Sequence, residues 1–366
     1  MRRFIECLIP ITACNLKCSY CYIIQEGRRK NEKAHFQYSP DHIGKALSIE
    51  RLGGVSLISI TGSGETLIPK ELPIIVAEIL KQGHFVNITT NGTLSNQMRA
   101  VLDATKEFHA HLHFSFSFHY SELKKKNLIE TFFNNIRMAK ESGCSILLQI
   151  NLSDEYFKDW DEIKRLSYEN VGALPQVALT RDESTGEYRI LTRHSESEYI
   201  AKAREMKSPL FEYTLKNFNV KRTEFCHAGL WSAKLNLATG EMTGCYGNGI
   251  RQNIFKDINK KIEWAPIGNN CCFKYCFNSS HFLSQGVIPC FSPDISYGSL
   301  RNREEAEWYT QEMKAFLYRH LYEFNEPIPS SKYDFFNRKH KILMFKYKWL
   351  NRLKRILRIR IDKQIR

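Results

Sequence analysis

The sequence predicts an α/β fold, and three observations predict it. Six short β-type runs recur along the first half of the chain, amphipathic helix-like stretches separate them, and glycines stand just past two of those stretches, at Gly83 and Gly143, where helices stop. The 366 residues suit one large α/β domain with an appendage. Six βα units fall short of the eight that close a full ring. The expected architecture is therefore a partial (β/α)6 TIM-like barrel with a cysteine-rich C-terminal extension and a basic amphipathic C-terminal helix.

The strands are expected at Phe4–Ile11, Ser56–Thr61, Phe85–Thr90, His111–His119, Ser145–Asn151 and Gln176–Thr180. They are apolar or β-branched runs, as the buried strands of a parallel sheet require. The intervening helices are expected at Asp41–Arg51, Leu72–Gln82, Asn96–Thr105, Leu128–Ser142 and Asp159–Tyr168, and a sixth near Glu196–Met206 closes the series. After residue 208 the periodicity changes. The stretch LWSAKLNLATGEMTGCY reads as two strands turning at Thr239-Gly240, and an Asn-, Cys-, Phe- and Ser-rich segment with little periodicity follows. Such a segment has little with which to build a core, and metal crosslinks are one remedy. The organisation expected is a catalytic core over 1–208, a cysteine-rich region over 209–329 and a basic tail over 330–366.

Composition narrows the function. With 43% apolar and 25% charged residues the chain is an ordinary globular one, which excludes disorder as its main state. No apolar run reaches the length of a spanning helix. The opening MRRFIECLIPITACNLKC reads as a poor signal peptide, so a cytoplasmic protein is expected. The net charge is +14, but 13 Lys/Arg against two Asp in residues 330–366 account for +11 of it. A nucleic-acid role is thus unlikely for the near-neutral body. In the tail, Ile342, Phe345, Trp349, Leu350, Leu353, Ile356 and Leu357 share one helical side, with Lys341, Lys348, Arg352, Lys354, Arg355 and Arg358 at its flanks or opposite. That pattern fits an anionic membrane surface contacted through 332–361, which would make the protein peripheral at the inner face of the membrane. Packing on the body and binding of nucleic acid are the alternatives.

Eleven cysteines in a chain of this kind point to metal or catalysis rather than disulfides. Cys14, Cys18 and Cys21 form one group. Cys226, Cys245, Cys271, Cys272, Cys276 and Cys290 form another, while Cys7 and Cys144 are isolated and suit buried apolar positions. The first group follows strand one, where a βα loop leaves the rim that carries chemistry in barrel enzymes. Three thiolates on one loop hold three irons of a cubic cluster and leave the fourth open. A zinc site built on Cys18 and Cys21 with two distant ligands is the alternative.

The C-x3-C-x2-C spacing, with Tyr20 as the aromatic before the last cysteine, resembles the signature of the radical SAM superfamily. The resemblance implies a [4Fe–4S] cluster on Cys14, Cys18 and Cys21 whose open iron chelates S-adenosylmethionine. It further implies reductive cleavage to a 5′-deoxyadenosyl radical that abstracts a substrate hydrogen, with a flavodoxin or ferredoxin as reductant. Ile60-Thr61-Gly62-Ser63-Gly64-Glu65-Thr66 is similar to the family's Gly-Gly-Glu-Pro motif, with Ser63 and Thr66 departing from it, and implies that Gly64 and Glu65 hold the cofactor's amino group. Thr89-Thr90-Asn91-Gly92-Thr93 is a turn common in the family. Ser117 resembles its ribose contact, with a backbone-bonded serine as the alternative. His119 and Tyr120 either face substrate or are structural, and Gln149 and Asn151 share a face nearby.

Cys226, Gly240 and Cys245 are similar to the opening C-x(9–15)-G-x4-C of the SPASM/twitch extension; the later cysteines depart from its pattern. The resemblance implies one auxiliary [4Fe–4S] cluster on Cys226, Cys245, Cys272 and Cys276, with Cys271 and Cys290 as substitutes and a four-thiolate zinc site as the alternative. Family members with such extensions often modify ribosomally made peptides, sulfatases or small metabolites, so the resemblance implies a peptide or protein side chain as substrate, with a glycan or lipid-linked precursor as a further candidate. The rival of another class is a non-catalytic iron–sulfur or zinc protein that binds a partner, nucleic acid or a membrane through its basic tail.

Overall fold

The computed structural model describes residues 1–184, 188–246, 249–276 and 279–364; in the last helix, side chains are described as far as Lys346 and again at Trp349 and Arg352. Six parallel strands form the core of one sheet: β1 (Arg3–Ile9), β2 (Ser56–Gly62), β3 (Phe85–Thr90), β4 (Leu112–Ser117), β5 (Ser145–Asn151) and β6 (Gln176–Ala178). They pair in chain order, each with the next. Their side chains are almost wholly buried, as expected of a sheet covered on both faces. Helices Leu72–Lys81, Ser95–Ala104, Ile129–Glu141 and Trp160–Val171 cross between them. This is the open α/β barrel that the sequence predicts.

Two local differences have clear causes. The single helix expected over 41–51 is two, Pro40–Ala46 and Ile49–Leu52, because the Ser48 side chain caps the second by accepting from Arg51 N at 3.4 Å. A further helix, Pro209–Asn217, follows Glu196–Arg204. Its signal lay in Ser208-Pro209, an N-cap followed by proline at the first helical position.

The region after 208 does not stand apart from the barrel. Beyond the short pair β7 (Arg181–Asp182) and β8 (Arg189–Ile190), strand β9 (Ser232–Asn236) lies parallel to β1, placing Lys234 opposite Glu6. Antiparallel β10 (Glu241–Thr243) and β11 (Arg251–Asn253) continue outward, so the described sheet has nine strands, ordered β11-β10-β9-β1-β2-β3-β4-β5-β6. The turn between β9 and β10 holds Gly240 at φ 77°, and a Cβ there would lie 2.5 Å from Phe255.

Residues 301–325 return to the N-terminal ends of the strands and plug the base of the barrel. Trp308 is 1% exposed; its carbonyl accepts from Ile146 N at 2.8 Å, and its indole donates to the Val171 carbonyl at 2.9 Å. Arg303 donates to the carbonyls of Leu174 (3.0 Å), Met206 (2.9 Å) and Lys207 (3.1 Å), tying off backbone left over where those elements end. Phe316 stacks on Phe85 at 4.0 Å, and the Arg2 guanidinium sits 4.0 Å above the Phe316 ring. With its base sealed in this way, the barrel opens only toward the rim where the strands end.

The plug predicts that Trp308→Ala costs about 3–5 kcal/mol, the usual range for emptying a buried aromatic site. Urea unfolding followed by far-UV circular dichroism measures it. A loss below about 1 kcal/mol would show that the base does not depend on this side chain.

Candidate functional site

The rim is built around the loop after β1. Cys14 and Cys21 are half-buried and Cys18 is buried; Cys21 helps to raise the pKa of Cys14, and Cys14 and Cys21 help to raise that of Cys18. Burial is the larger cause of that rise at Cys14 and Cys18. Arg29 holds the loop open by donating to the carbonyls of Cys14 and Leu16, both at 2.7 Å. Glu122 accepts from Lys17 N at 2.7 Å. Gln25 ties the short helix after Cys21 to the β6–β7 rim, donating to the Tyr20 carbonyl (2.9 Å) and accepting from Glu183 N (2.8 Å).

The loop after β2 packs directly on this cysteine loop. A Cβ on Gly64 would come within 2.1 Å of the Ala13 carbonyl, which also accepts from Glu65 N at 2.9 Å. Only glycine permits that approach.

The Glu65 carboxylate, expected from its motif to meet the cofactor's amino group, also has partners within the protein. The residue is 2% exposed; Oε1 accepts from Thr90 Oγ1 (2.6 Å) and Leu67 N (3.0 Å), and Oε2 from Asn91 N (2.8 Å). These donors come from its own loop and from the Thr-Thr-Asn-Gly turn. The carboxylate therefore clamps two loops. Burial still pushes its pKa up, with the three hydrogen bonds opposing. Asn91 passes the clamp onward, its side-chain amide lying 2.8 Å from Asn15 Oδ1 and 3.8 Å from Cys14 Sγ. An N–H donor aimed at a ligating sulfur is a usual tuning device in iron–sulfur sites.

The remaining expected site residues fall into two groups. Tyr20 is buried at the edge of the cleft, its hydroxyl 2.7 Å from His119 Nδ1 and 2.9 Å from the Tyr156 hydroxyl. Burial depresses the pKa of His119 to about 4, so the ring is neutral near pH 7. Tyr120 is fully buried and turned away, donating to Glu162 at 2.6 Å. Ser117 ends β4 half-buried and is not part of the cleft wall; Gln149, its register partner on β5, and Asn151 are. Inside the barrel a polar row crosses the sheet, in register from Glu6 through Ser59 and Asn87 to His113. Asn87 donates to Ser59 (2.9 Å) and accepts from Ser115 (2.8 Å).

The cleft encloses about 580 Å³ above this row, within the range of small-molecule sites. Strand ends supply Thr61, Gln149, Asn151 and Thr180; Lys234 and Tyr246 come from the β9–β10 region, and Tyr275 and His281 from the cysteine-rich loops. The Tyr246 hydroxyl donates to Glu6, and Lys234 Nζ sits 4.6 Å above the Tyr246 ring.

A second, interior cavity of about 40 Å³ is lined by Cys226, Cys245, Cys271 and Cys276. That is more than the 10–15 Å³ a water molecule needs, so these thiols face a void rather than a packed core. Burial raises the Cys226 pKa to about 12, and burial together with Cys276, Cys226 and Cys271 holds Cys245 well above the ordinary thiol range. Buried thiols of this kind are protonated and inert unless a metal replaces the proton. Of the adjacent pair, Cys272, expected as a ligand, is exposed and outside the cavity, whereas Cys271, expected as its substitute, lines it. Adjacent side chains on non-helical backbone point to opposite sides, so only one of the pair can face inward. Cys290 is also exposed, while Cys7 and Cys144 are buried. Tyr246 and Phe273 line both this cavity and the cleft, and so form the wall between them.

Residues 8–167 match the family model described as Radical SAM superfamily. Two curated relatives, each named probable GTP 3′,8-cyclase, align with parts of the chain. The Methanococcus vannielii protein is 45% identical over 82 residues, 22% of this chain and 26% of the relative. The Pyrobaculum aerophilum protein is 27% identical over 157 residues, 42% of this chain and 49% of the relative. The aligned parts thus span from a quarter to half of those relatives. Among solved structures, Streptococcus suis SuiB bound to S-adenosylmethionine is similar at a TM-score of 0.47 and 16% identity, over 70% of this chain and 64% of that one.

The clamp carries its own prediction. Glu65→Ala strands three donors, each costing about 1–3 kcal/mol, so stability falls by roughly 3 kcal/mol or more and the Asn91 amide loses protection from hydrogen exchange. A variant of unchanged stability and exchange that only loses affinity for S-adenosylmethionine would restore the carboxylate to direct cofactor binding.

Proposed function

From the match of residues 8–167 to the Radical SAM superfamily model, we propose that this chain reductively cleaves S-adenosylmethionine and modifies a peptide or protein side chain, with an auxiliary cluster beside the reaction chamber. The observation that carries the reading is the thiol loop of Cys14, Cys18 and Cys21 standing over the C-terminal end of β1, on the rim toward which the barrel opens. Cys14, Cys18 and Cys21 would hold a [4Fe–4S] cluster there, and the chemistry it would supply when bound is the electron for reductive cleavage of the sulfonium.

This chain's own residues do the rest. Arg29 and Glu122 fix the loop that presents the three thiols. Gly64 lets the β2 loop approach it, and Glu65 and Asn91 lock the approach. Gln149 and Asn151 offer neutral hydrogen-bonding groups to a cofactor or substrate at the strand ends, with Ser117 behind them. Cys226, Cys245, Cys271 and Cys276 hold the auxiliary cluster, and Tyr246 and Phe273 insulate it from the cleft. A flavodoxin or ferredoxin is the reductant this chemistry calls for.

Charge separates the substrate classes. Among the described residues the cleft carries three acids, Glu6, Glu26 and Glu183, against three bases, Arg28, Arg181 and Lys234. Arg28 pairs with Glu26, and Arg181 with Glu183 at 2.8 Å. Among the described residues no surplus of cations awaits a triphosphate, which argues against carrying over the GTP named in the curated relatives. Aromatic walls from Tyr22, Tyr188, Phe218 and Tyr275 with neutral polar groups suit a peptide; a glycan or lipid-linked precursor fits the same surface less specifically.

Anaerobic reconstitution is expected to give about eight irons per chain, four at each site. With dithionite and S-adenosylmethionine the loaded protein is expected to release 5′-deoxyadenosine. Substituting Cys14, Cys18 and Cys21 together by alanine abolishes release. Cys271→Ser lowers the iron content to about four, and Cys272→Ser leaves it at about eight. Release persisting in the triple variant, or GTP consumed in step with release, would refute the proposal.

A further inference from the structure

Among its described residues, the helix Tyr333–Gln364 joins the body by one face. Tyr333 stacks on Phe225 at 3.8 Å. Asn337 Oδ1 accepts from Asn269 N at 3.0 Å and from Asn270 Nδ2 at 3.1 Å, and His340 is buried. At 100° per residue, positions 333, 337 and 340 fall within about 60° of one another. They fasten the helix to the segment that leads into Cys271 and to the strand-like stretch before Cys226.

The opposite face is uncovered. Phe335 is 64% exposed, Ile342 68%, Phe345 73% and Trp349 55%. These four are spaced seven, three and four residues apart, so they form one continuous stripe about 150° from the docked face. A solvated helix face would be polar, and a single exposed apolar residue would be ordinary; a stripe of four large ones, three of them aromatic, is neither. Exposed cations border it on both sides, Lys341 and Arg352 on one and Lys332, Lys339 and Lys346 on the other, with Arg338 between Phe335 and Ile342. The side chains of Lys348, Leu350, Leu353, Lys354, Arg355, Ile356, Leu357 and Arg358, which the sequence pattern also assigned to this amphipathic helix, lie outside the described residues.

We propose that this stripe lies in the interfacial layer of an anionic lipid bilayer, parallel to the membrane plane. The apolar side chains enter the boundary between headgroups and acyl chains, and the flanking cations meet the lipid phosphates. Charge complementarity selects this occupant: the tail holds +11 of the chain's +14, and the remainder of the protein is nearly neutral. Nucleic acid satisfies the cations but leaves Phe335, Ile342, Phe345 and Trp349 in water. A second copy covers the stripe but brings two strongly basic helices together. Among the described residues no helix is long and apolar enough to cross a membrane, so the contact proposed is a surface one.

Flotation of the full chain with vesicles tests this. Vesicles of equal parts phosphatidylglycerol and phosphatidylcholine are expected to carry the protein upward, and vesicles of phosphatidylcholine alone to leave most of it behind. Each basic residue near an anionic surface multiplies affinity about fivefold. Replacing Lys339, Lys341, Lys346 and Arg352 with glutamine therefore weakens binding at least about twenty-five-fold, allowing for half of them in contact. Phe345→Ser with Trp349→Ser releases the protein from both vesicle types. Circular dichroism and iron content are expected to be unchanged, because neither side chain packs on the body. Three results would overturn the proposal: wild-type protein staying with the soluble fraction, the serine variant still floating, or the stripe holding a stable dimer that the serine variant splits. Duplex DNA displacing the protein from vesicles while the serine variant binds DNA unchanged would assign the cations to nucleic acid instead.

Discussion

A buried carboxylate is costly unless donors surround it, and the rim of this barrel is organised around one. Glu65 takes up the Thr90 hydroxyl and the backbone N–H groups of Leu67 and Asn91, while its own N–H bonds the Ala13 carbonyl. Three loops that are distant in sequence, those after β1, β2 and β3, are thereby fixed against one another. Through Asn91 the fixation reaches Cys14. Thiols that share a cluster must hold their spacing to a fraction of an ångström, and a loop held by side chains on rigid strands does this better than one that floats. The Gly-Glu pair thus earns its place through geometry, with glycine for approach and glutamate for the lock.

The parallel core was legible because buried strands and amphipathic helices alternate with strong periodicity, and the cysteine loop because its spacing is unusual. What escaped had weaker local signals. Strand β9 was legible as half of a hairpin, but nothing in Ser232–Asn236 announces that it pairs with β1 rather than forming a separate layer. The base plug around Arg303 and Trp308 is built from contacts across more than a hundred residues, to which local periodicity is blind. The choice between Cys271 and Cys272 depends on which neighbour faces inward, and composition is silent on that.

The role of Glu65 shows the same limit from another side. Its motif marks the residue, but whether the carboxylate turns toward a ligand or toward the next loop depends on Thr90 and Asn91, which only the fold brings near. Gln149 and Asn151 were visible as a shared strand face, and the register with Ser117 and Gln176 is what sets them at the cleft.

The wall shared by the two cavities is thin, essentially Tyr246 and Phe273. Tyr246 is also bonded to Glu6 at the centre of the sheet and lies under Lys234. Whatever occupies the thiol cavity is therefore coupled to the barrel interior through a single aromatic layer.

The base plug also bears on the order of events during synthesis. Ser145 waits for Thr310, 165 positions further on, before the foot of β5 is covered. A ribosome delivers the N-terminal half first, so the six strands emerge with their lower ends greasy and bare. Those ends can be shielded only after every cysteine has been made. The nascent protein therefore passes through an interval in which all eleven cysteines are present while the base is still open.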